Sequence, residues 1–312
     1  MAHGNTVFFG TAEVGLPFLE WLFAHTRLQL IITQPDARGG RDRREHLEPP
    51  VKRFARDHGI ACIQPQVLRC EETETQIRAA APDLGVVVAY GRYIPRRVAT
   101  IPRCRTINAH FSLLPRWRGA APVQRSLEAG ETRTGVSLFE IRPRMDAGPV
   151  WASRALEVDA DETAPELFAR LAAAGADLLA ETLPRILTGN NRPRPQDHDQ
   201  ATFAPQLRKE EGRIDWTLTA RRIYDRWRAF QPWPGVYFEL DDAPVKVIQC
   251  RPLENAGADR EPGTVLETNR EHLRVACGGG SALEIDRIQP PCKRPMTPHC
   301  YSLGNVLPPR LP

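Results

Sequence analysis

Short apolar runs alternate with segments of helical spacing along the first half of the chain. The runs lie at 6–10, 28–33, 83–91 and 106–110, and each ends in glycine or a polar residue. Between them, apolar residues recur at every third or fourth position, as in an amphipathic helix. The run at 83–91 is apolar almost throughout, which is typical of a strand buried on both faces. This order predicts an α/β fold with a Rossmann-like, mostly parallel sheet and helices on both faces.

A different pattern follows a long helical segment and a polar stretch. Thr163 and Glu166 form a capping-box pair at the start of a helix predicted over 163–187. Pro, Asn and Asp are then frequent up to 206, as in a linker between domains. Beyond the linker, short strand-like runs recur about every ten residues, which favours a small β-barrel. We therefore predict a catalytic domain at 1–189, a linker at 190–206 and a C-terminal, OB-like small β-barrel domain at 207–312.

Composition excludes several classes of protein. The 312 residues are 41% hydrophobic, as in globular proteins. No apolar stretch approaches about 18 residues, so we expect no membrane span. The chain enters its first strand almost at once, which leaves no room for a signal peptide. Seven scattered cysteines without a C-x-x-C pair indicate reduced thiols, with neither a disulfide framework nor a metal site. We therefore expect a cytoplasmic protein.

Positive charge is concentrated in runs, although the net charge of the whole chain is only +4. Between Arg38 and Arg56 seven Lys and Arg accompany three acids, and between Arg92 and Arg118 seven Arg accompany none. Arg recognises phosphate and carboxylate groups through a planar set of donors. These runs favour an anionic partner. The alternative explanation is a genome rich in G and C, which would encode Arg at positions where Lys would serve equally well. The segment 221–228 is likewise open to two interpretations, a phosphate-binding helix or a solvated helix face.

The chemistry-bearing residues cluster where the fourth strand ends. Asn108 and His110 are two residues apart, so both side chains point to the same face of a strand. An amide can donate to a developing oxyanion, and an imidazole can transfer protons near neutral pH. Asp146 lies in a Gly- and Pro-containing loop, from which its carboxylate could approach His110 and raise the pKa of the imidazole. Taken singly, the Asn–His pair and the loop Asp are more often structural.

These residues belong to a longer signature that resembles the methionyl-tRNA formyltransferases, a family within the 10-formyltetrahydrofolate-dependent formyltransferases. The resemblance extends over nearly the whole chain, and its most specific part is the segment 107–122. Two later segments carry it into the predicted second domain. The segments that resemble the family include VFFGTAEVGLPFLE, TQPDARGGR, DLGVVVAYGRYIP, INAHFSLLPRWRGAAP, MDAGPV, EGRIDW and PWPGVY.

The resemblance implies roles for four sets of residues. The implied catalytic triad consists of Asn108, His110 and Asp146. The implied folate-contacting turn consists of Ser112, Leu113, Leu114 and Pro115. The implied lining of the pterin pocket includes Tyr93 and Ile94. The implied tRNA-binding residues of a basic loop at 34–48 are Arg41 and Arg43. In that loop this chain departs from the family pattern, because many members carry Pro and more Lys there.

The resemblance also implies a reaction and its participants. The formyl group of the co-substrate 10-formyltetrahydrofolate would move to the α-amino group of methionyl initiator tRNA. The product, N-formylmethionyl-tRNA, would serve translation initiation. The implied mechanism needs no metal and no covalent enzyme intermediate, and the expected enzyme is a monomer.

Three other functions stay open on the residues alone. The nearest is a formyltransferase acting on an amino sugar nucleotide, and the second is a formyltetrahydrofolate hydrolase, which would usually carry an additional domain. The third is a non-catalytic RNA-binding module, which the co-occurrence of Asn108, His110 and Asp146 disfavours. A dinucleotide-binding site at the first strand is disfavoured, because GTAEVG lacks the G-x-G-x-x-G pattern.

Overall fold

The computed structural model describes residues 4–39, 45–257 and 260–312. They form two compact units, each made of more than one stretch of chain. The first unit comprises 1–122, 133–158 and 167–204, and the second comprises 123–132, 159–166 and 205–312.

The first unit holds a mixed α/β arrangement in which strands and helices alternate. Up to residue 204 the strands are β1 Asn5–Gly10, β2 Arg27–Ile32, β3 Ala37–Gly39, β4 Glu45–Leu47, β5 Cys62–Ile63, β6 Leu84–Val88, β7 Thr106–His110, β8 Arg118–Gly119, β9 Arg133–Glu140, β10 Val150–Glu157 and β11 Phe203–Ala204. The helices over the same range are α1 Leu16–His25, α2 Pro50–Asp57, α3 Glu71–Ala79, α4 Arg96–Ala99, α5 Pro122–Glu128 and α6 Ala164–Leu187. Single 3₁₀ turns lie at Glu13–Gly15 and His198–Gln200.

Seven strands make the central sheet, in the order β10-β9-β7-β6-β1-β2-β5. The pairs from β7 to β5 are parallel, whereas β9 runs antiparallel to both β7 and β10. The predicted α/β fold with a mostly parallel sheet is therefore confirmed. Several elements were not predicted, among them helix α3, whose sequence is strongly polar, and the short antiparallel pair β3-β4.

One face of the sheet carries a cluster of buried hydrophobic side chains. Its fully buried members include Val7, Phe9, Ile32, Ile77 and Val98. Val87 of β6 also belongs to this cluster, and it lies directly beside Asn108 of β7. Laterally paired residues of neighbouring strands point to the same face. The hydrophobic cluster therefore packs on the same face of the sheet to which the side chains of Asn108 and His110 point.

The second unit contains a separate antiparallel sheet. A 3₁₀ turn Lys209–Gly212 and helix α7 Ala220–Ala229 precede strands β12 Val236–Leu240, β13 Ala243–Leu253, β14 Val265–Thr268, β15 Leu273–Ala276 and β16 Ala282–Gln289, and α8 Pro298–Ser302 follows. The strand order is β12-β13-β16-β15-β14, with every pair antiparallel. The prediction of a C-terminal domain built on a β-sheet is thus confirmed, and the sheet is antiparallel, whereas its closure into an OB-like barrel stays a prediction.

Local signals at the helix ends agree with the sequence. The Glu166 carboxylate accepts hydrogen bonds from both the main-chain N–H and the hydroxyl of Thr163, at 2.8 and 2.6 Å, at the start of α6. Those bonds lower the pKa of Glu166. All seven cysteines lie within the described residues, and each is a free thiol. Among the residues described, no helix combines the length and the apolar character needed to cross a bilayer.

Candidate functional site

The polar end of β7 places Asn108 and His110 side by side on one sheet face. Asn108 lies opposite Phe139 of β9, and His110 lies opposite Ser137. The His110 side chain is 6% exposed, and its ring meets the ring of Phe139 edge-on at 6.2 Å between centroids. The Nε2–H of His110 donates to the main-chain oxygen of Trp117 at 2.8 Å. The ring is thus held by packing and by one hydrogen bond, which leaves Nδ1 for another partner.

Asp146 is the partner that faces the second ring nitrogen. Its Oδ2 lies 3.7 Å from Nδ1 of His110 and accepts a hydrogen bond from the main-chain N–H of Gly119 at 2.8 Å. The residue has a φ of +48°, a conformation that few non-glycine residues other than Asn and Asp adopt. The structure therefore brings Asp146 to His110, as the sequence predicts.

The loop around Asp146 turns too tightly for a side chain at one position. A Cβ at Gly148 would lie 1.7 Å from the main-chain oxygen of Glu140, well inside any possible contact. Beside it, the N–H of Glu140 donates to the oxygen of Pro149 at 2.9 Å. Glycine at this position lets the loop fold back against the end of β9 and point Asp146 toward β7.

The turn Ser112–Pro115 follows β7 directly and is held from within. Ser112 is fully buried, and its hydroxyl donates to the oxygen of Arg116 at 2.6 Å. Ser137 ties the turn to β9, because its Oγ donates to the oxygen of Ser112 at 2.8 Å and accepts from the N–H of Leu114 at 3.1 Å. The Ser112 hydroxyl is therefore engaged in the turn itself. What the turn offers to a ligand is its main chain and its half-buried Leu and Pro side chains.

The two residues expected to line a pterin pocket lie in different surroundings. Ile94 is 5% exposed and borders a cavity of about 260 Å³. Arg96, Arg105, Glu140, Ile141 and Arg142 are among its other lining residues. Tyr93 is 57% exposed, and the Arg69 guanidinium lies 5.8 Å from its ring centroid.

A network of hydrogen bonds around the Arg118 side chain adjoins Asp146, and it could not be predicted from the sequence. The Arg118 guanidinium, from the basic run, is only 2% exposed. Its Nε and Nη2 donate to Oε1 of Gln196 at 3.1 and 2.6 Å, and Nη2 also meets Nδ1 of His198 at 2.9 Å. Burial, with the charge of Arg144, lowers the pKa of Arg118, whereas Asp146 acts in the opposite direction. The expectation that Arg118 presents its charge to a polyanion is therefore wrong.

Other Arg residues of the basic runs are paired with acidic side chains, although they are themselves exposed. Arg97 pairs with the buried Glu74, Arg103 with Asp83 at 2.8 Å, and Arg105 with Glu140 at 3.8 Å. Hydrogen bonds from Arg103 and Asn5 outweigh the effect of partial burial and lower the pKa of Asp83. The positive field of the run 92–118 is consequently weaker than its composition suggests.

Helix α7 shows the same behaviour. The carboxylate of Asp225 receives Arg221 and Arg228, each at 2.9 Å, and Arg226 lies 3.5 Å from Glu128. Three of the four Arg on this helix therefore have acidic partners, so neither a phosphate-binding helix nor a simple solvated face describes it. Its Trp227 packs toward the antiparallel sheet, since the indole N–H donates to the main-chain oxygen of Val247 in β13 at 3.2 Å.

Two predicted residues fall outside the described part of the chain. Arg41 and Arg43 lie at 40–44, between β3 and β4. Within the residues described, no group of three or more His, Cys, Asp and Glu is placed to hold a metal ion.

Comparisons with known proteins agree on one family. The family model described as formyl transferase matches residues 23–183, and that of the formyl transferase C-terminal domain matches residues 206–305. The methionyl-tRNA formyltransferase of Halorhodospira halophila is 45% identical over 98% of this chain and 98% of its own. That of Methylococcus capsulatus is 42% identical over 96% of this chain and 97% of its own.

Among solved structures, WlaRD is similar in fold. It is a sugar 3N-formyl transferase, crystallised in the presence of dTDP and 5-N-formyl-THF. The match covers 94% of this chain and 100% of that one, with a TM-score of 0.67 and 15% sequence identity. At that identity the likeness concerns the fold alone.

Proposed function

The chain belongs to the methionyl-tRNA formyltransferases of the formyl transferase family, and from this premise we propose that it formylates the α-amino group of methionyl initiator tRNA. The formyl donor is 10-formyltetrahydrofolate, and the product is N-formylmethionyl-tRNA for translation initiation. The observation that carries the proposal is the convergence of Asn108, His110 and Asp146 at the end of β7, in a chain with full-length similarity to such enzymes.

The amine of methionine attacks the formyl carbon, so it must first be neutral. A free α-amino group has a pKa of about 7.7–8.0, and esterification of the neighbouring carboxyl lowers it further. Attack forms a C–N bond and a tetrahedral oxyanion. The amine then loses a proton, N10 of the folate gains one, and the C–N10 bond breaks. No covalent enzyme intermediate is required.

Asn108 and His110 are suited to hold the oxyanion. The Asn108 amide is half-buried and, in the described parts of the chain, makes no hydrogen bond of its own, so its N–H groups can serve a ligand. A donor already aimed at the developing charge needs no reorganisation when the charge appears. Asp146 faces Nδ1 of His110 and is therefore placed to stabilise a protonated ring and to assist the proton transfer.

The folate is proposed to enter along the Ser112–Pro115 turn, with its pterin toward Ile94. Support comes from the position of the turn, which follows β7 and is tied to β9 by the hydroxyl of Ser137, which donates to the oxygen of Ser112 at 2.8 Å. The proposed tRNA contacts are Arg41 and Arg43. We further propose that the enzyme acts as a monomer in the cytoplasm.

An amino sugar nucleotide is the alternative acceptor. The fold likeness to WlaRD is compatible with it, but the relatives at 42–45% identity over nearly the whole chain bear the other name. The tRNA acceptor is therefore the better supported of the two.

A formyl-transfer assay separates the two acceptors. Purified enzyme is given 10-formyltetrahydrofolate with charged initiator tRNA, with uncharged tRNA, or with a dTDP-linked amino sugar. We expect formylated product only with charged tRNA. Product with the amino sugar and none with the tRNA would overturn the proposal.

A further inference from the structure

Gln196 connects the segment after α6 to the loop that carries Asp146. The residue is 9% exposed. Its Nε2 donates to the main-chain oxygen of Asp146 at 2.9 Å and to that of Gly148 at 2.6 Å. Its Oε1 accepts two hydrogen bonds from Arg118, at 3.1 and 2.6 Å. Both amide N–H donors and both oxygen lone pairs are thereby used.

The orientation of this amide is determined by its neighbours. The Arg118 guanidinium has only donors, so the amide oxygen must face it, and the two carbonyl oxygens must then face the amide nitrogen. A carboxylate at this position would keep the contact with Arg118 but would bring an oxygen against two other oxygens. An apolar side chain would leave Arg118 buried without this acceptor.

Arg118, which holds the side-chain amide of Gln196, is itself fixed in position by main-chain hydrogen bonds. Its main-chain N–H donates to the oxygen of Thr202 at 2.9 Å, and β8 pairs with β11 through Arg118 and Gly119. The next residue, Gly119, donates to the carboxylate of Asp146 at 2.8 Å. The N–H of Gly119 in β8 therefore holds the side chain of Asp146, and the amide of Gln196 holds its main chain. Gln196 is in turn hydrogen-bonded to Arg118 of β8.

We propose that Gln196 is a positioning residue that sets the distance between the Asp146 carboxylate and His110. Because Asp146 adopts a positive φ and lies 3.7 Å from Nδ1, loss of the Gln196 bonds frees the loop to relax and carries the carboxylate away from the ring. Misplacement by about 1 Å can cost on the order of 100-fold in rate. The inference rests on the proposed formyl transfer and adds to it a residue that contacts neither substrate.

The test replaces Gln196 with Glu and, separately, with Met. Gln196→Glu keeps the shape and the Arg118 contact but loses both donors, and Gln196→Met removes the polar group without adding charge. Gln200→Glu is the matched control, because Gln200 lies four residues further along the same segment, is exposed and undergoes the same change of charge. Each variant is assayed with charged initiator tRNA below its own unfolding temperature.

We expect the Gln196→Glu enzyme to lose about 10- to 100-fold in kcat, with the KM for each substrate within about twofold of wild type. The Gln200→Glu enzyme should keep its kcat. A folded Gln196→Glu or Gln196→Met enzyme with unchanged kcat overturns the positioning role. A rise in KM without loss of kcat also overturns it, since that result would indicate a binding residue.

A double-mutant comparison separates positioning from general damage to the fold. Single-turnover rates are measured with enzyme in excess for Asp146→Asn, Gln196→Glu and the double variant. If Gln196 acts through Asp146, the double variant is about as slow as Asp146→Asn alone. If the double variant instead loses the product of the two fold-losses measured for the single variants, the proposal is contradicted. If wild type forms no product, the proposed function fails, whereas an active wild type with an unaffected Gln196→Glu enzyme refutes only the role of Gln196.

Discussion

At the scale of single residues, the site depends on how each polar group is oriented. Nε2 of His110 donates to the Trp117 oxygen, and Nδ1 faces Asp146. Each ring nitrogen therefore faces an oxygen atom, which fixes the orientation of the ring. Asn108, by contrast, is left to donate to a ligand. The proposed tasks of the three side chains are thus distinct, although the side chains occupy one small region.

We expect Asn108→Ala, His110→Ala and Asp146→Ala each to reduce kcat by at least about 100- to 1000-fold, the usual effect of losing an oxyanion donor. Because none of these side chains is proposed to contact the phosphate backbone, the Kd for methionyl-tRNA should change by less than about threefold. Steady-state kinetics and filter binding measure the two quantities. Near-wild-type turnover in any variant would remove that residue from the catalytic set.

At the scale of elements, the strand that ends in His110 and the loop that holds Asp146 were both predictable. An apolar run with polar residues at its end indicates a strand that stops at a ligand site, and the resemblance to the family supplied the roles. Gln196 could not be predicted, because a polar, Pro-rich segment resembles a linker and its partners lie far along the chain. The burial of Arg118 was hidden for a similar reason, since composition counts its charge but does not show its neighbours.

Helix α7 contains a buried ion pair whose loss should be measurable. The side chains of Asp225 and Arg228 are 4% and 2% exposed. Asp225→Ala would leave Arg228 buried without its carboxylate, which typically costs about 3–5 kcal/mol. We expect the free energy of unfolding to fall by about that amount in chemical denaturation. The exposed Arg222→Ala on the same helix is the control and should change it by less than about 0.5 kcal/mol. Equal effects of the two substitutions would contradict this account.

The antiparallel sheet contains a carboxylate whose effect depends on pH. Burial alone would raise the pKa of Glu284, but hydrogen bonds from Arg274 and Arg251 outweigh it and hold the pKa below its ordinary value. Those bonds measure 2.7 and 2.6 Å. A carboxyl whose pKa is lowered by folding contributes stability above its unfolded pKa, about 4.3, and loses it as the pH falls through the folded value.

We therefore expect Glu284→Gln to be less stable than wild type at pH 7, by about 2 kcal/mol. The difference should shrink as the pH is lowered from about 5 to below 4.3. Urea unfolding across this range measures it, with the exposed Glu271→Gln as control. If the free energies of unfolding of wild type and Glu284→Gln differ by the same amount down to pH 3, Glu284 does not cause the pH dependence.

At the scale of the whole molecule, net charge is a poor guide to nucleic-acid binding. The chain carries +4 overall, yet many Arg side chains in the described residues are paired with acids or buried. A Lys or Arg contributes to tRNA binding mainly when it displaces counterions from phosphates. The number of phosphate contacts should accordingly be well below the number of Arg residues in the basic runs.

We expect the affinity for methionyl-tRNA to fall by about tenfold between 50 and 200 mM salt, as two phosphate contacts would produce. Filter binding over that range measures the slope of log Kd against log salt. Arg118→Lys, which keeps a buried positive charge, should leave the slope unchanged. An affinity that does not respond to salt would rule out electrostatic recognition of the tRNA backbone.

The segment from Arg194 to Ala204 has a consequence for the order in which the protein is made. Gln196 lies 50 residues after Asp146 and 78 after Arg118, and Thr202 lies 85 after Trp117, whose N–H it accepts. On a ribosome, His110 and Asp146 therefore emerge well before the residues that hold their loops, and contacts of such long sequence separation form late and slowly. A nascent chain that has just completed α6 carries all three side chains proposed to be catalytic, but not yet the contacts that hold them in place.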